Sequence, residues 1–269
     1  MNLSKIKGKT AVVTGASSGI GLQFCRRLAE QGADIVMISN QNKELTAAAR
    51  ELSDKYGIIT YPLCVDLTAP DVVTGIETFL QSRKLQPEIL INNAGIFSFN
   101  YLTETPDGKI EAFIDLHVRA VTQLSIAFAR RFKALGRGWI LNMSSMSCWM
   151  PMPGIALYSS TKAYIRVLSR ALHYEMRDDG VRVCVACPGG IATDLFGLPH
   201  KLQRLAVRIG ALQTPEKFSY NALKRLMSGK AQYINGPLNR FAIFFIAIMP
   251  RRVRMLVKRL MLDKGIRKP

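Results

Sequence analysis

Two hydrophobic periodicities alternate along this chain. Short, β-branched apolar runs occur at residues 10–14, 34–38, 58–64, 88–91, 139–143 and 181–186. A turn follows each run, and then a longer stretch with apolar positions at helical spacing. Alternating strands and helices predict a parallel sheet covered on both faces. Unbroken apolar cores such as AVV in the first run and IVMI in the second suit strands buried on both sides. Crossovers between parallel strands are right-handed, so the expected class is α/β, a doubly wound Rossmann-like sheet. Ligands of such sheets bind beyond the carboxyl ends of the strands, which is where candidate chemistry should collect. No linker-like tract or internal repeat divides the 269 residues. The pattern predicts one Rossmann-like domain over 1–236, with 237–269 as a basic, amphipathic helical extension of it.

The first strand runs into Thr14-Gly15-Ala16-Ser17-Ser18-Gly19-Ile20-Gly21, followed at once by a helical pattern. Glycines here allow a tight turn. They also let backbone N–H groups approach a pyrophosphate at a helix N-terminus. Four further signals follow in order. Asn92-Asn93-Ala94-Gly95 closes the fourth strand. Ser145 stands 13 residues before Tyr158, and Tyr158-Ser159-Ser160-Thr161-Lys162 opens a helical stretch. Pro188-Gly189, with Ile191 and Thr193, follows the sixth strand.

Together these segments resemble the short-chain dehydrogenase/reductase family, through its TGxxxGxG, NNAG, serine, YxxxK and PG-x-x-x-T motifs over about residues 8–195. The resemblance implies a nicotinamide cofactor held by Gly15, Ser17, Ser18, Gly19, Ile20, Gly21, Ser39, Asn40, Asn93, Ala94, Gly95, Pro188, Gly189, Ile191 and Thr193. Asp66 and Leu67 would flank the adenine, and Lys162 would hold the nicotinamide ribose as well as acting with Tyr158. The implied catalytic set is Ser145, Tyr158 and Lys162. The family's fourth member, an asparagine thought to hold a water linking the lysine to solvent, aligns with His117. That leaves two readings of His117: a substitute in the proton relay, or a buried, hydrogen-bonded histidine without such a role.

The residue types suit the chemistry. Tyr158 and Lys162, four apart, share one helix face. A nearby ammonium is expected to favour the phenolate and draw the tyrosine pKa down from about 10. A tyrosine so tuned gives a proton to a carbonyl oxygen or takes one from an alcohol. Ser145 can hydrogen-bond the same oxygen as charge develops on it. The second strand ends in Ser39 and Asn40, without the carboxylate that selects NAD by repelling the 2′-phosphate of NADP. With Ser17 and the neighbouring Lys43, that favours NADP(H) over NAD(H). No metal is expected.

Charge redraws the end of the molecule. The formal net charge is +18, and residues 196–269 carry sixteen Lys/Arg against two acids. The segment 197–230 reads as a lid helix, a turn at Thr214-Pro215 and a second helix, ahead of a short strand at 232–234. The run 241–249 is wholly apolar but far below the roughly 20 residues that span a bilayer. Arg240, Arg251, Arg252, Arg254, Lys258 and Arg259 surround it, so peripheral membrane contact through 237–262 is one expectation and a buried oligomer or lid helix the other. No helix-turn-helix, zinc-finger or aromatic–basic RNA signature accompanies the charge, so no nucleic-acid partner is expected.

The N-terminal MNLSKIKGK lacks an apolar signal core, and five scattered cysteines suit a reducing compartment. A cytoplasmic protein is expected, peripheral on the inner membrane face if the C-terminal segment binds lipid. Cys184 and Cys187 read as buried structural thiols. Met146, Trp149, Met150 and Met152 suggest an apolar substrate wall or core. The function expected is hydride transfer between NADP(H) and a small-molecule ketone or alcohol, with a lipid-like long-chain keto substrate if the membrane contact holds. The alternatives are a catalytically weak cofactor-binding sensor or scaffold, and a nucleotide-sugar epimerase. A homo-oligomer is expected, as is frequent in the family.

Overall fold

In a computed structural model, residues 3–193, 199–208 and 212–263 are described. Seven parallel strands form one sheet in the order β3-β2-β1-β4-β5-β6-β7. They are β1 (Thr10–Thr14), β2 (Asp34–Ser39), β3 (Thr60–Cys64), β4 (Pro87–Asn92), β5 (Gly138–Met143), β6 (Val181–Ala186) and β7 (Gln232–Tyr233). The strand order reverses between β1 and β4, and that switch point opens a crevice at the carboxyl ends. The doubly wound α/β sheet expected from sequence is therefore present. β3 begins two residues later than its apolar run, at Thr60.

The alternating side chains of each strand feed two layers. Ala11 and Val13 of β1 and Ile35 and Met37 of β2 pack against α1 (Gly19–Ala29), α2 (Asn42–Tyr56) and α8 (Pro215–Met227), through Phe24, Leu28, Leu45, Leu52 and Phe218. Val12, Val36 and Ile38 face the other way. They meet α3 (Val72–Ser82) and α5 (Val121–Ala134) through Ile76, Leu80, Leu124, Phe128 and Phe132. Burial on both faces explains why these strands read as continuous apolar runs.

Before α5 come α4 (Asp107–Ile114) and a π-helical turn over Asp115–Ala120, making one rod to Ala134. By length and hydropathy this rod could cross a membrane. Its apolar residues Phe113, Leu124, Phe128 and Phe132 are instead buried in the fold, so it is a core helix. The π turn opens beside the site, a frequent location for such irregularities. α6 (Ala156–Glu175) follows a single 3₁₀ turn over Met146–Trp149 and lies along β6.

Beyond β6 come α7 (His200–Arg208) and α8, whose N-cap Thr214 accepts a hydrogen bond from the Lys217 amide with Pro215 in the first turn. After β7, Gly236 enters α9 (Pro237–Ala247). Pro250 separates that helix from α10 (Arg251–Val257), and a π turn continues to Asp263.

Candidate active site

The glycine loop is shaped by backbone proximity. A Cβ on Gly21 would fall 1.9 Å from the Gly15 carbonyl oxygen, and Gly15 itself has φ +63° with Asn93 and Ala94 against it. Above Gly19, by contrast, the nearest atom is a Thr193 methyl at 4.0 Å. Ser18 caps α1 without a side-chain bond, which leaves first-turn N–H groups free for an anion. The loop is thus packed tightly below and open above, a cradle that fits a pyrophosphate.

Thr14 and Asn93 set the height of that cradle. The Thr14 hydroxyl accepts hydrogen bonds from the amides of Asn93 (2.9 Å) and Ala94 (3.0 Å). The Asn93 side-chain amide donates to the carbonyls of Thr14 (3.0 Å) and Gly15 (3.3 Å). Asn93 therefore ties the end of β4 to the end of β1. Its neighbour Asn92 points into the fold and donates to Asn142 at 2.9 Å, which donates to Ser169 at 2.9 Å; this buried polar ladder joins β4, β5 and α6.

A cavity of about 700 Å³ lies over this loop. Its wall includes Gly15, Ser17, Ser18, Gly19, Ile20, Ser39, Asn40, Asp66, Leu67, Asn93, Ala94, Gly95, Ser145, Tyr158, Lys162, Pro188, Gly189, Ile191 and Thr193. Of the residues singled out from sequence, Gly21 and His117 lie behind that wall. Gln41, Val65, Thr68, Ile96, Ala112, Leu116, Met143 and Ser144 also line it and were not singled out; their sequence neighbours carry the motifs, but they carry none themselves. Met146, Trp149, Met150 and Met152 are not part of this wall. Trp149 lies instead under the Arg166 guanidinium, 4.4 Å away.

At the end of β2 the Ser17 hydroxyl bonds Ser39 Oγ (2.9 Å) and donates to Gln41 Oε1 (2.9 Å). The Gln41 amide donates to Ser39 Oγ at 3.2 Å. This corner is a neutral set of hydroxyl and amide groups. Lys43 stands exposed in the first turn of α2 and does not line the cavity. Asp66 and Lys162 are the cavity's charged residues among those described. Asp66 accepts hydrogen bonds from the amide and hydroxyl of Thr68, which fixes the turn after β3.

The reactive groups sit at the other end. Ser145 caps the 3₁₀ turn, accepting from the Ser147 amide at 3.1 Å, and its hydroxyl also hydrogen-bonds Tyr158. The Lys162 ammonium lies 5.6 Å from the Tyr158 ring centre and donates to the Met143 carbonyl at 3.0 Å. Ser144 holds the Lys162 carbonyl at 2.7 Å. Burial pushes the tyrosine pKa up to about 12, partly offset by the Ser145 hydrogen bond. It brings the lysine down to about 8. The downward pull of Lys162 on Tyr158 expected from spacing does not set the direction: taking the phenolate out of water costs more than the Ser145 hydrogen bond returns. Two thiols meet nearby, Cys148 hydrogen-bonding Cys187, with the Cys187 thiol raised by burial.

His117 is fully buried on the π turn. Its Nε2 accepts a hydrogen bond from the Ile96 amide at 3.1 Å. Nδ1 must then carry the proton, and it donates to Thr161 Oγ1 at 3.1 Å. Thr161 in turn donates to the Tyr158 carbonyl. Burial, and secondarily the Lys162 charge, hold the imidazole well below its usual pKa. Both ring nitrogens are thus engaged by fixed protein groups, an arrangement that suits positioning rather than proton relay.

A family profile described as short chain dehydrogenase matches residues 9–200. The chain belongs to the short chain dehydrogenase family. Within that family it is 35% identical to a zebrafish (Danio rerio) very-long-chain 3-oxoacyl-CoA reductase-A over 198 residues, covering 72% of this chain and 61% of the relative. The chain thus spans about three fifths of that relative's length. A human (Homo sapiens) protein named inactive hydroxysteroid dehydrogenase-like protein 1 is 29% identical over 231 residues, 84% of this chain and 68% of that one. Among solved structures, a short-chain dehydrogenase from Sphingobium yanoikuyae in complex with NADPH superposes with a TM-score of 0.78 at 29% identity, covering 94% of this chain and 97% of that one. A nicotinamide cofactor is accordingly the group to which the family's cradle is fitted.

The His117 geometry gives a direct expectation. His117→Asn leaves the pH–rate profile around pH 6.5, the ordinary imidazole range, unchanged, because burial holds the ring neutral there. His117→Ala strands the Ile96 amide and costs about 1–3 kcal/mol of stability in thermal or urea unfolding. An inflection near pH 6.5 that disappears in His117→Asn would return the histidine to the proton relay.

Proposed function

We propose that this chain is an NADP(H)-dependent ketoreductase acting on a lipid-like, long-chain keto compound. One observation carries the reading: Ser145, Tyr158 and Lys162 line the same continuous cavity as the glycine cradle. A cofactor seated there and a carbonyl beside Tyr158 would share one continuous space. The nicotinamide, when bound, supplies hydride to the carbonyl carbon.

The protein's own groups do the rest. With its pKa near 12, the Tyr158 phenol keeps its proton at neutral pH and donates it to the carbonyl oxygen. Ser145 donates a hydrogen bond to the same oxygen as negative charge grows on it. The phenolate left behind faces the Lys162 ammonium. Lys162, anchored on the Met143 carbonyl, is placed to hold a ribose hydroxyl as well. Gly95, whose Cβ would press on His117 Nε2 at 3.0 Å and lie 3.5 Å from Lys162 Nζ, lets this group close up.

Three features support the finer points. The corner formed by Ser17, Ser39 and Gln41 is neutral and lacks a carboxylate to repel a 2′-phosphate, which favours NADP(H). Ile96, Ala112, Leu116 and Met143 give the cavity an apolar side. The similar zebrafish protein is named for a very-long-chain oxoacyl substrate. A second reading, a cofactor-binding scaffold without turnover, draws on the likeness to the human protein named inactive. The intact Ser145, Tyr158 and Lys162 set weighs against it.

NADPH consumption with a panel of long-chain, bulky and steroid ketones tests both readings. The wild-type chain is expected to reduce at least one class, and Tyr158→Phe to lose about 10²–10⁴-fold in kcat. Cofactor binding without turnover on any ketone would favour the scaffold. Separately, Ser39→Asp is expected to weaken NADPH binding about tenfold or more while sparing NADH, because a carboxylate then faces the 2′-phosphate. Unchanged NADPH affinity would place the phosphate elsewhere.

A further inference from the structure

The strongest unassigned surface is formed by α9 and α10. Leu238, Phe241, Phe244, Phe245 and Ile248 recur at helical spacing, and α9 has no buried residue. Leu238 is 72% exposed, Phe241 69% and Phe245 65%. Beyond Pro250, Val253, Met255, Leu256 and Leu260 continue the exposed apolar surface. Isolated exposed apolar residues are ordinary, but a continuous set of this size needs an occupant.

This surface is held firmly on the body. At the start of α9, Asn239 donates to the Asn235 carbonyl at 2.7 Å, and Asn235 accepts from the Gly189 amide at 2.7 Å. Gly189 lines the cofactor cavity. At the far end Lys258 sits over the Tyr101 ring and Leu262 is buried. The segment is therefore tied at both ends while its phenylalanines face outward.

Charge identifies the occupant. Residues 237–263 carry six Lys/Arg and one acid, Asp263. A second copy of this chain docking through the same face would bring two such cationic sets together, so self-association there is disfavoured. The partner must be apolar in its interior and anionic at its surface. α9 has eleven residues, about 16 Å of helix, far short of the roughly 30 Å of a bilayer core. It can lie in the plane of an interface but cannot cross it.

We infer that α9 and α10 form an in-plane docking surface for an anionic lipid bilayer, with the phenylalanines in the acyl boundary and the arginines among the headgroups. The Asn239–Asn235–Gly189 link places this surface one short connection from the cavity wall. Docking would thus present the site to lipid-borne substrate. Only that purpose rests on the ketoreductase reading; the binding itself rests on the surface.

Co-sedimentation of the full chain with phosphatidylcholine vesicles, with and without an equal part of phosphatidylglycerol, tests it. Wild-type protein is expected to sediment with the anionic vesicles and to be released by salt. Phe241→Asp with Phe245→Asp, and separately Arg251→Glu with Arg252→Glu, should each weaken binding about tenfold or more. Unchanged NADPH binding shows that the variants are folded, and reduction of a water-soluble ketone reads the catalytic proposal independently. A chain that stays in solution with every vesicle overturns the inference and leaves the surface to an acidic protein. Equal sedimentation of wild type and both variants overturns it as well.

Discussion

A charged lysine buried beside a buried phenol is the constraint around which this site is built. Water would hydrate both groups, and the fold removes it from both. The cost appears as a lysine drawn down to about 8 and a tyrosine pushed up to about 12. Fixed dipoles replace part of the lost hydration: the Met143 carbonyl for the ammonium and the Ser145 hydroxyl for the phenol. At neutral pH the lysine is then still cationic and the tyrosine still protonated. That pairing makes Tyr158 a proton donor rather than a base at rest.

The sheet makes this placement possible. Strand order reverses between β1 and β4, and Thr14 and Asn93 stitch the two strand ends together across the gap. The same stitch lowers the glycine loop into its cradle, so the phosphate end of the cavity and its catalytic end are referenced to one scaffold. α6 carries Tyr158 and Lys162 one turn apart. Ser144 fixes that helix to the end of β5 through the Lys162 carbonyl. His117 adds a strut from the π turn to both the Ile96 amide and Thr161.

Much of this was legible from sequence because the signals are local. A strand buried on both faces must be apolar throughout, and a phosphate loop must be rich in glycine. A tyrosine and lysine that act together on a helix must be about one turn apart. What stayed hidden depends on partners distant in the chain. Thr14 acts through Asn93, 79 residues away, and Gln41 through Ser17. The methionines at 146, 150 and 152 showed apolar character but not which face they take, and the cavity passes them by. The Tyr158 shift runs opposite to the direction its spacing from Lys162 suggests, for a related reason: spacing reveals a neighbouring charge, whereas the larger effect, burial, belongs to the whole fold.

The central claim is electrostatic, and the lysine tests it most directly. Burial disfavours the charged form of an amine, so its pKa falls; the ammonium is present below the shifted value and lost above it. Side-chain ¹⁵N NMR titration, with Lys162→Met to assign the signal, should show Lys162 losing its proton near pH 8, well below the value of about 10.4 for a lysine in a model peptide. A Lys162 signal that titrates near about 10.4 would contradict the account.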